Sequence, residues 1–120
     1  MVGRMGMTGH PGMTWQQWQN TVIALLQTYG WHVAHFRPAM NQRGQWRTAV
    51  AANGKGWPDI VAIHKERGQL LVAELKTGKG RLTPEQKEWL EYFRLVPGCG
   101  VFEWKPDDWE TILGIVQGGR

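Results

Sequence analysis

The sequence has one cysteine, no acidic residue before position 59 and no long apolar run. Because Cys99 stands alone, an internal disulfide is excluded, which is typical of proteins of the reducing cytoplasm. No apolar stretch approaches the ~20 residues that a membrane-spanning helix needs. Residues 1–13 are rich in glycine and methionine and lack the apolar segment of a signal peptide, so we expect a disordered N-terminal segment there. These shortages predict a cytoplasmic protein with no membrane partner.

The charge of the chain is modestly positive. Fourteen lysines and arginines oppose ten acids, which gives a formal net charge of +4. Such an excess in a small domain is consistent with a nucleic-acid partner. A length of 120 residues is sufficient for one core but not for two, so we expect a single domain over 14–117 and a short tail, 118–120.

Local patterns predict an α/β fold. Two capping-box spacings, at Thr14 and Thr83, mark the starts of helices. Two aliphatic runs joined by a polar turn predict a β-hairpin, and the helix after it implies a crossover to a parallel strand. The predicted elements are a helix over 15–29, a strand over 31–36, hairpin strands over 60–64 and 70–76, a helix over 84–96, a strand over 101–104 and a helix from 106. The order α-β-β-β-α-β-α corresponds to a small mixed β-sheet flanked by helices.

Three charged residues lie at one end of the predicted hairpin. Side chains alternate along a strand, so Glu74 and Lys76 point to the same face, and Asp59 begins the neighbouring antiparallel strand. Carboxylate oxygens suit a hard cation such as Mg²⁺ or Mn²⁺, and a lysine beside it would orient a water or neutralise a phosphate. An acid in a turn, or Glu-x-Lys on a solvated strand, is common by itself. The combination across a hairpin favours a metal site for phosphodiester hydrolysis.

Two basic segments flank this hairpin. Residues 38–57 form a long predicted loop that contains Arg43, Arg47 and Lys55 and no acid. Its cations either are solvated on a flexible insertion or contact DNA phosphates. The short turn with Lys79 and Arg81, after the hairpin, is also expected to touch a DNA backbone.

The four histidines do not predict a zinc site, because their spacing matches no zinc pattern and Cys99 is alone. His64 ends a predicted strand, and we expect it to be exposed. His35 lies on the first predicted strand. It is interpreted either as a hydrogen-bonded core or edge histidine or as a phosphate contact near the metal.

The chain resembles the VRR-NUC group of the PD-(D/E)xK nuclease superfamily, whose core is that of restriction endonucleases. The resemblance covers residues 14–113, and its most specific part is the run from Glu74 to Trp89. The residues that carry it are Gly30-Trp31, His35, Gly56-Trp57-Pro58-Asp59, Glu74-Leu75-Lys76, Gly80-Arg81-Leu82-Thr83-Pro84-Glu85-Gln86 and Trp89.

This resemblance implies a Mg²⁺- or Mn²⁺-dependent DNA endonuclease with no other small-molecule cofactor. Asp59, Glu74 and the Leu75 carbonyl would bind the metal, Lys76 would be the catalytic lysine, and Gln86 would lie beside the site. Similar proteins are homodimeric phage or bacterial nucleases, some of which act on branched DNA such as Holliday junctions. A homodimer would also bury the aromatic surface expected from Trp15, Trp18, Trp89 and Trp109.

The start of the first helix departs from the family pattern. A glutamate is usual there, whereas this chain has Trp15-Gln16-Gln17. Gln16 or Gln17 would still hold a water through a side-chain carbonyl. The departure keeps a second hypothesis open, a catalytically weak or inactive DNA-binding module on the same fold. A small interaction protein with an incidental basic surface is a third.

Overall fold

The computed structural model describes residues 12–36, 39–40, 42–47 and 51–118, with only the backbone path for 39–40 and 46–47. The predicted N-terminal segment therefore lies outside the described residues except for its last two. Of these, Met13 packs against the core. No helix in the described ranges is long and apolar enough to cross a bilayer.

Both predicted capping boxes are present. Helix α1 spans Trp15–Thr28, and the Thr14 hydroxyl accepts a hydrogen bond from the Gln17 backbone N–H while the Gln17 side chain accepts one from Thr14 N–H. Helix α2 spans Pro84–Arg94 and opens with the same reciprocal pair between Thr83 and Gln86. These caps satisfy backbone donors that the first turn leaves without intrahelical partners.

The strands form a four-stranded mixed sheet and a separate two-stranded ribbon. The strands of the sheet are β1 Trp31–His35, β4 Ile60–His64, β5 Gln69–Leu75 and β6 Cys99–Trp104, and the ribbon pairs β2 Ala39–Met40 with β3 Trp46–Arg47. Within the sheet the order is β1-β4-β5-β6. The first two pairs are antiparallel, and β5 and β6 are parallel, as the crossover predicts. The α/β architecture predicted from the sequence is confirmed, with the short ribbon added.

Two helical layers cover the sheet. Helix α1 and helix α3, Trp109–Val116, share one core with the β5 residues Leu71, Ala73 and Leu75. The intervening residues Val72 and Glu74 point to the opposite face. Helix α2 packs against β5 and β6, and its buried residue Leu90 lies outside the first core. Glu74 is therefore on the face of the sheet that α2 covers.

Several predicted boundaries and exposures were wrong. Helix α2 ends at Arg94, so Val96 lies beyond it, and β6 begins earlier than expected, at Cys99. A short 3-10 turn, Pro106–Asp108, precedes α3. His64 is buried rather than exposed, because its ring packs edge-on against Trp31 at a centroid distance of 5.3 Å, and its Nε2 lies 3.0 Å from the Tyr29 carbonyl oxygen.

The expected surplus of exposed tryptophan is also not found. Trp18 and Trp109 belong to the core, where their ring centroids are 6.1 Å apart. Trp15 and Trp89 are half-buried and use their indole N–H groups within the chain. A 120-residue chain accommodates these rings because two helical layers, rather than one, cover its sheet.

Candidate active site

Asp59 and Glu74 face each other at one end of the β4–β5 ladder. The register pairs Ile60 with Ala73, which places Asp59 opposite Glu74 on the same face. The Leu75 backbone N–H donates to Asp59 Oδ2 at 2.8 Å. This hydrogen bond holds the Asp59 carboxylate against the strand that carries Glu74.

Glu74 is fully buried, and neither of its carboxylate oxygens accepts a hydrogen bond from a donor in the part of the chain that the structure describes. Burial raises the pKa of Glu74 to about 10; a side-chain hydrogen bond with Asp59, which forms when Glu74 is protonated, and the charges of Asp59 and Glu103 reinforce this rise, while the Lys76 ammonium opposes it. A buried carboxylate without donors is stable when it is neutral or when a cation is bound to it. The position of Glu74 therefore favours a cation.

The Leu75 carbonyl oxygen follows Glu74 directly along the chain and accepts a hydrogen bond from a side chain of α1. Trp15, in the first turn of α1, donates its indole N–H to this oxygen at 2.9 Å. A carbonyl has two lone pairs, so one acceptor position remains. At the helix start, where the resemblance to the VRR-NUC group would place a glutamate, this chain supplies an indole hydrogen bond.

Lys76 continues the strand beyond Leu75. Its backbone N–H donates to the Trp104 carbonyl of β6 at 3.0 Å, and its side chain is half-buried on the Glu74 face. The following turn folds along its aliphatic stem, because a Cβ placed on Gly80 would lie 3.5 Å from Lys76 Cδ. The Lys76 ammonium is thereby placed at the same end of the sheet as both carboxylates.

The turn that carries Asp59 rests on the N-terminus of α2. Gly56 has φ +86°, and a Cβ at this position would lie 2.6 Å from the Glu85 carbonyl carbon, so only glycine fits. Gln86 lies at this contact, and its side-chain oxygen accepts from Thr83 N–H at 2.9 Å. Gln86 is therefore committed through its oxygen to the helix cap, and its amide nitrogen remains for other contacts.

An aromatic cluster, made of Trp57, Trp89 and Phe93, fixes the same turn to α2. The Trp57 centroid lies 4.9 Å from that of Trp89 and 5.4 Å from that of Phe93. Trp89 also donates its indole N–H to the carbonyls of Asn53 and Lys55, at 3.1 and 3.0 Å. The sequence placed Trp89 on a helical stripe but gave no sign of this bond to the preceding loop.

The sequence patterns did not identify Gln19 as a buried polar residue. It is buried on α1, one turn after Trp15, and its amide nitrogen has no partner within the described ranges. A signal was present, since Gln19 occupies an apolar-stripe position between Trp15 and Val22.

The predicted nucleic-acid contacts are distributed over several surfaces. His35 pairs with Ile60 in the sheet, one residue from Asp59, and its buried Nδ1 has no partner among the described residues. Arg43 lies in the exposed β2–β3 turn, and the Arg47 side chain lies outside the described residues. Lys55 is 3.8 Å from the Glu85 carboxylate and is therefore partly neutralised.

Lys79 and Arg81 are exposed and line one cleft, together with Lys87, Glu103 and Lys105. Of its five charged residues, the sequence reasoning selected only these first two.

The oxygen ligands available to a metal ion at this end of the sheet are two carboxylates and a backbone carbonyl. Within the ranges described, no group of three histidine, cysteine or acidic side chains is arranged to hold a metal ion. Oxygen donors of this kind suit Mg²⁺ or Mn²⁺, which keep several waters when they bind to few protein ligands. The unpartnered oxygens of Glu74 fit such an ion.

Comparison with protein families gives the same assignment. The family model of the VRR-NUC domain matches residues 11–101. The chain belongs to the VRR-NUC family. The match extends from α1 into β6 and includes Asp59, Glu74 and Lys76, while α3 lies beyond it. No curated protein and no solved structure matches this VRR-NUC chain. Membership assigns it a nuclease-type role in DNA processing.

Proposed function

We propose that this VRR-NUC chain is a divalent-metal-dependent DNA endonuclease whose centre is the Asp59–Glu74 pair. The observation that carries the proposal is Glu74, a fully buried carboxylate without hydrogen-bond donors that faces a second carboxylate. Such an arrangement costs stability unless a proton or a cation compensates it. Mg²⁺ or Mn²⁺ would be held by Asp59, Glu74 and the remaining lone pair of the Leu75 carbonyl.

When bound, the ion would polarise the phosphate and make an attacking water more acidic. Asp59 is kept in position by its hydrogen bond from Leu75 N–H. Lys76 lies on the Glu74 face and is placed to orient the water and to neutralise negative charge that develops on the phosphate. Gln86, through its amide nitrogen, and His35, through Nδ1, are candidate donors to the same phosphate.

The test compares Asp59→Asn and Glu74→Gln with a matched control, Glu91→Gln, which changes an exposed acid on α2. Calorimetric titration with Mn²⁺ measures binding, and a panel of branched and linear DNAs with Mg²⁺ measures cleavage. Both site variants should lose binding and cleavage, because each removes one ligand charge, while the control keeps both. Wild-type turnover in either site variant would refute the metal assignment.

The variant Lys76→Ala distinguishes a role of the lysine in the cleavage step from a role in DNA binding. We expect its single-turnover rate to fall while its affinity for DNA changes little. Loss of affinity with an unchanged rate would make Lys76 a phosphate anchor only. Absence of Mn²⁺ binding by the wild-type chain, with intact DNA binding, would favour the second hypothesis of an inactive DNA-binding module.

For the substrate we propose branched DNA, including Holliday junctions, cut by a homodimer. Cutting paired strands requires two sites at a fixed separation, and a two-fold dimer provides them. Preferential cleavage of linear duplex in the same panel would contradict the branched substrate.

A further inference from the structure

A basic cleft opens beside the proposed centre. We define the basic cleft by its charged residues, which are Lys79, Arg81, Lys87, Lys105 and Glu103. Its volume is about 500 Å³, and the half-buried Leu82 contributes an apolar wall. Three parts of the fold meet there, namely the turn after β5, the first half of α2 and the end of β6.

The four cations of the basic cleft have no acidic partner within 4.0 Å in the described part of the chain. Lys55 is different, because it lies 3.8 Å from Glu85. Four positive groups against one carboxylate in a concave surface repel one another unless mobile ions or an anionic ligand compensate them. The uncompensated positive charge therefore concentrates in the basic cleft rather than around Lys55.

The basic cleft is adjacent to the proposed centre. Gly80 lines it and packs along the aliphatic stem of Lys76. Glu103 also lines it and pairs in register with Glu74 across the parallel strands. A polymer that leaves the Asp59–Glu74 pair past Lys76 would enter the basic cleft directly.

We propose that the basic cleft binds the phosphodiester backbone of the DNA strand that is cut, next to the scissile phosphate. The proposal rests on the proposed function, because it places the strand relative to that centre. The cations come from a turn, a helix and a strand end, so they are spread along the cleft and suit successive phosphates. Backbone contacts of this kind fix position and carry no sequence information. The Glu103 carboxylate repels the phosphates, and this repulsion lowers the affinity for DNA.

The test uses the double variant Lys87→Gln/Lys105→Gln, since neither residue is part of the proposed catalytic centre. Lys65→Gln, an exposed lysine in the turn between β4 and β5, is the matched control. Fluorescence anisotropy in EDTA measures affinity for labelled single-stranded DNA at several salt concentrations. Each lost phosphate contact should reduce the slope of log K against log salt by roughly 0.7, so the double variant should lose about 1.4.

The control should keep the wild-type slope, and Glu103→Gln should bind more tightly than wild type because it removes a repulsive charge. Circular dichroism and Mn²⁺ titration confirm that the double variant is folded and retains its metal site. An unchanged salt slope in the folded double variant would overturn the proposal. An equal decrease of the salt slope in Lys65→Gln would also overturn it, because DNA affinity would then depend on the net charge of the protein and not on the basic cleft.

Failure of this proposal and failure of the proposed function give different results. If Asp59→Asn abolishes cleavage but the double variant keeps its salt slope, the nuclease assignment stands and the basic cleft does not bind the strand. If the slope of log K against log salt falls in the double variant but the wild-type chain never cuts DNA, the basic cleft stands as a strand-binding site and the nuclease assignment fails. With both correct, the wild-type chain cuts DNA and the double variant needs a higher DNA concentration to reach the same rate of cleavage.

Discussion

In the proposed site, the chemistry would depend on Glu74. Most strand glutamates are solvated, but this one is fully covered and faces Asp59. Its pKa is raised to about 10, so without metal it carries a proton at neutral pH. A cation would displace that proton, and metal binding should therefore become tighter as pH rises.

This protonation predicts a pH dependence of stability. In the unfolded chain Glu74 has its ordinary pKa of 4.5, whereas in the folded chain it is about 10. Between these values the unfolded state binds fewer protons, so the free energy of unfolding of the metal-free protein should fall as pH rises from about 5 to 9. The free energy of unfolding of Glu74→Gln should depend less on pH over this range, and this variant should be more stable than wild type at about pH 9.

Urea denaturation in EDTA at several pH values, followed by tryptophan fluorescence, measures this. Glu91→Gln serves as the control, because it removes an exposed acid that does not act on Glu74 and should keep the wild-type slope. The same pH slope in Glu74→Gln and wild type would show that another group titrates.

The Trp15 indole gives a direct probe of the Leu75 carbonyl. If the metal and the indole N–H share this oxygen, Mg²⁺ should shift the Trp15 indole N–H resonance in a ¹⁵N-correlated NMR spectrum. The Trp31 indole, which donates to the Val116 carbonyl at 3.0 Å, should not move. Trp15→Phe identifies the resonance. A Trp15 resonance that stays fixed at saturating Mg²⁺ would remove Leu75 from the ligand set.

At the scale of elements, α2 holds the segment that leads to Asp59. The aromatic cluster of Trp57, Trp89 and Phe93 and the close contact at Gly56 both join this segment to α2. Asp59 follows directly, so its position depends on contacts made by residues far along the chain. The helix therefore acts on the site as a support, in addition to covering the sheet.

Trp89→Phe tests this support. An aromatic ring is retained, although phenyl is smaller than indole, and the hydrogen bond that one indole N–H shares between the Asn53 and Lys55 carbonyls is lost, at a cost of about 1 kcal/mol. Hydrogen–deuterium exchange should accelerate in residues 51–57, and cleavage should slow with them. Tyr92→Phe, an exposed ring on the same helix, is the control. Unchanged exchange in 51–57 would mean that packing alone fixes the segment.

At the scale of the whole molecule, assembly would decide which strands the proposed endonuclease cuts. The exposed apolar residues Tyr92, Leu95 and Val96 lie near the end of α2, while the tryptophans whose side chains the structure describes are buried or half-buried. A homodimer with two centres would cut paired strands, and a monomer would nick one strand.

Sedimentation equilibrium at micromolar concentration, with and without junction DNA, measures the assembly. We expect twice the chain mass of 13.7 kDa. The monomer mass under both conditions would contradict the dimer and make a nicking enzyme the better assignment.

The sequence by itself determined the elements whose causes are local. The capping boxes at Thr14 and Thr83 bond residues three apart, and the period of two along the hairpin puts Glu74 and Lys76 on one face. The antiparallel hairpin then brings Asp59 to the same end. These relations follow from backbone geometry within short stretches, so they could be predicted.

The tertiary structure alone decided the environment of the site. Trp15 reaches the Leu75 carbonyl across 60 residues, and Glu74 is buried because a sheet face and α2 close over it. Lys87 and Lys105 join Lys79 in the basic cleft only through the crossover of α2. Burial and charge pairing depend on how separate layers pack, and no short-range period in a sequence encodes that packing.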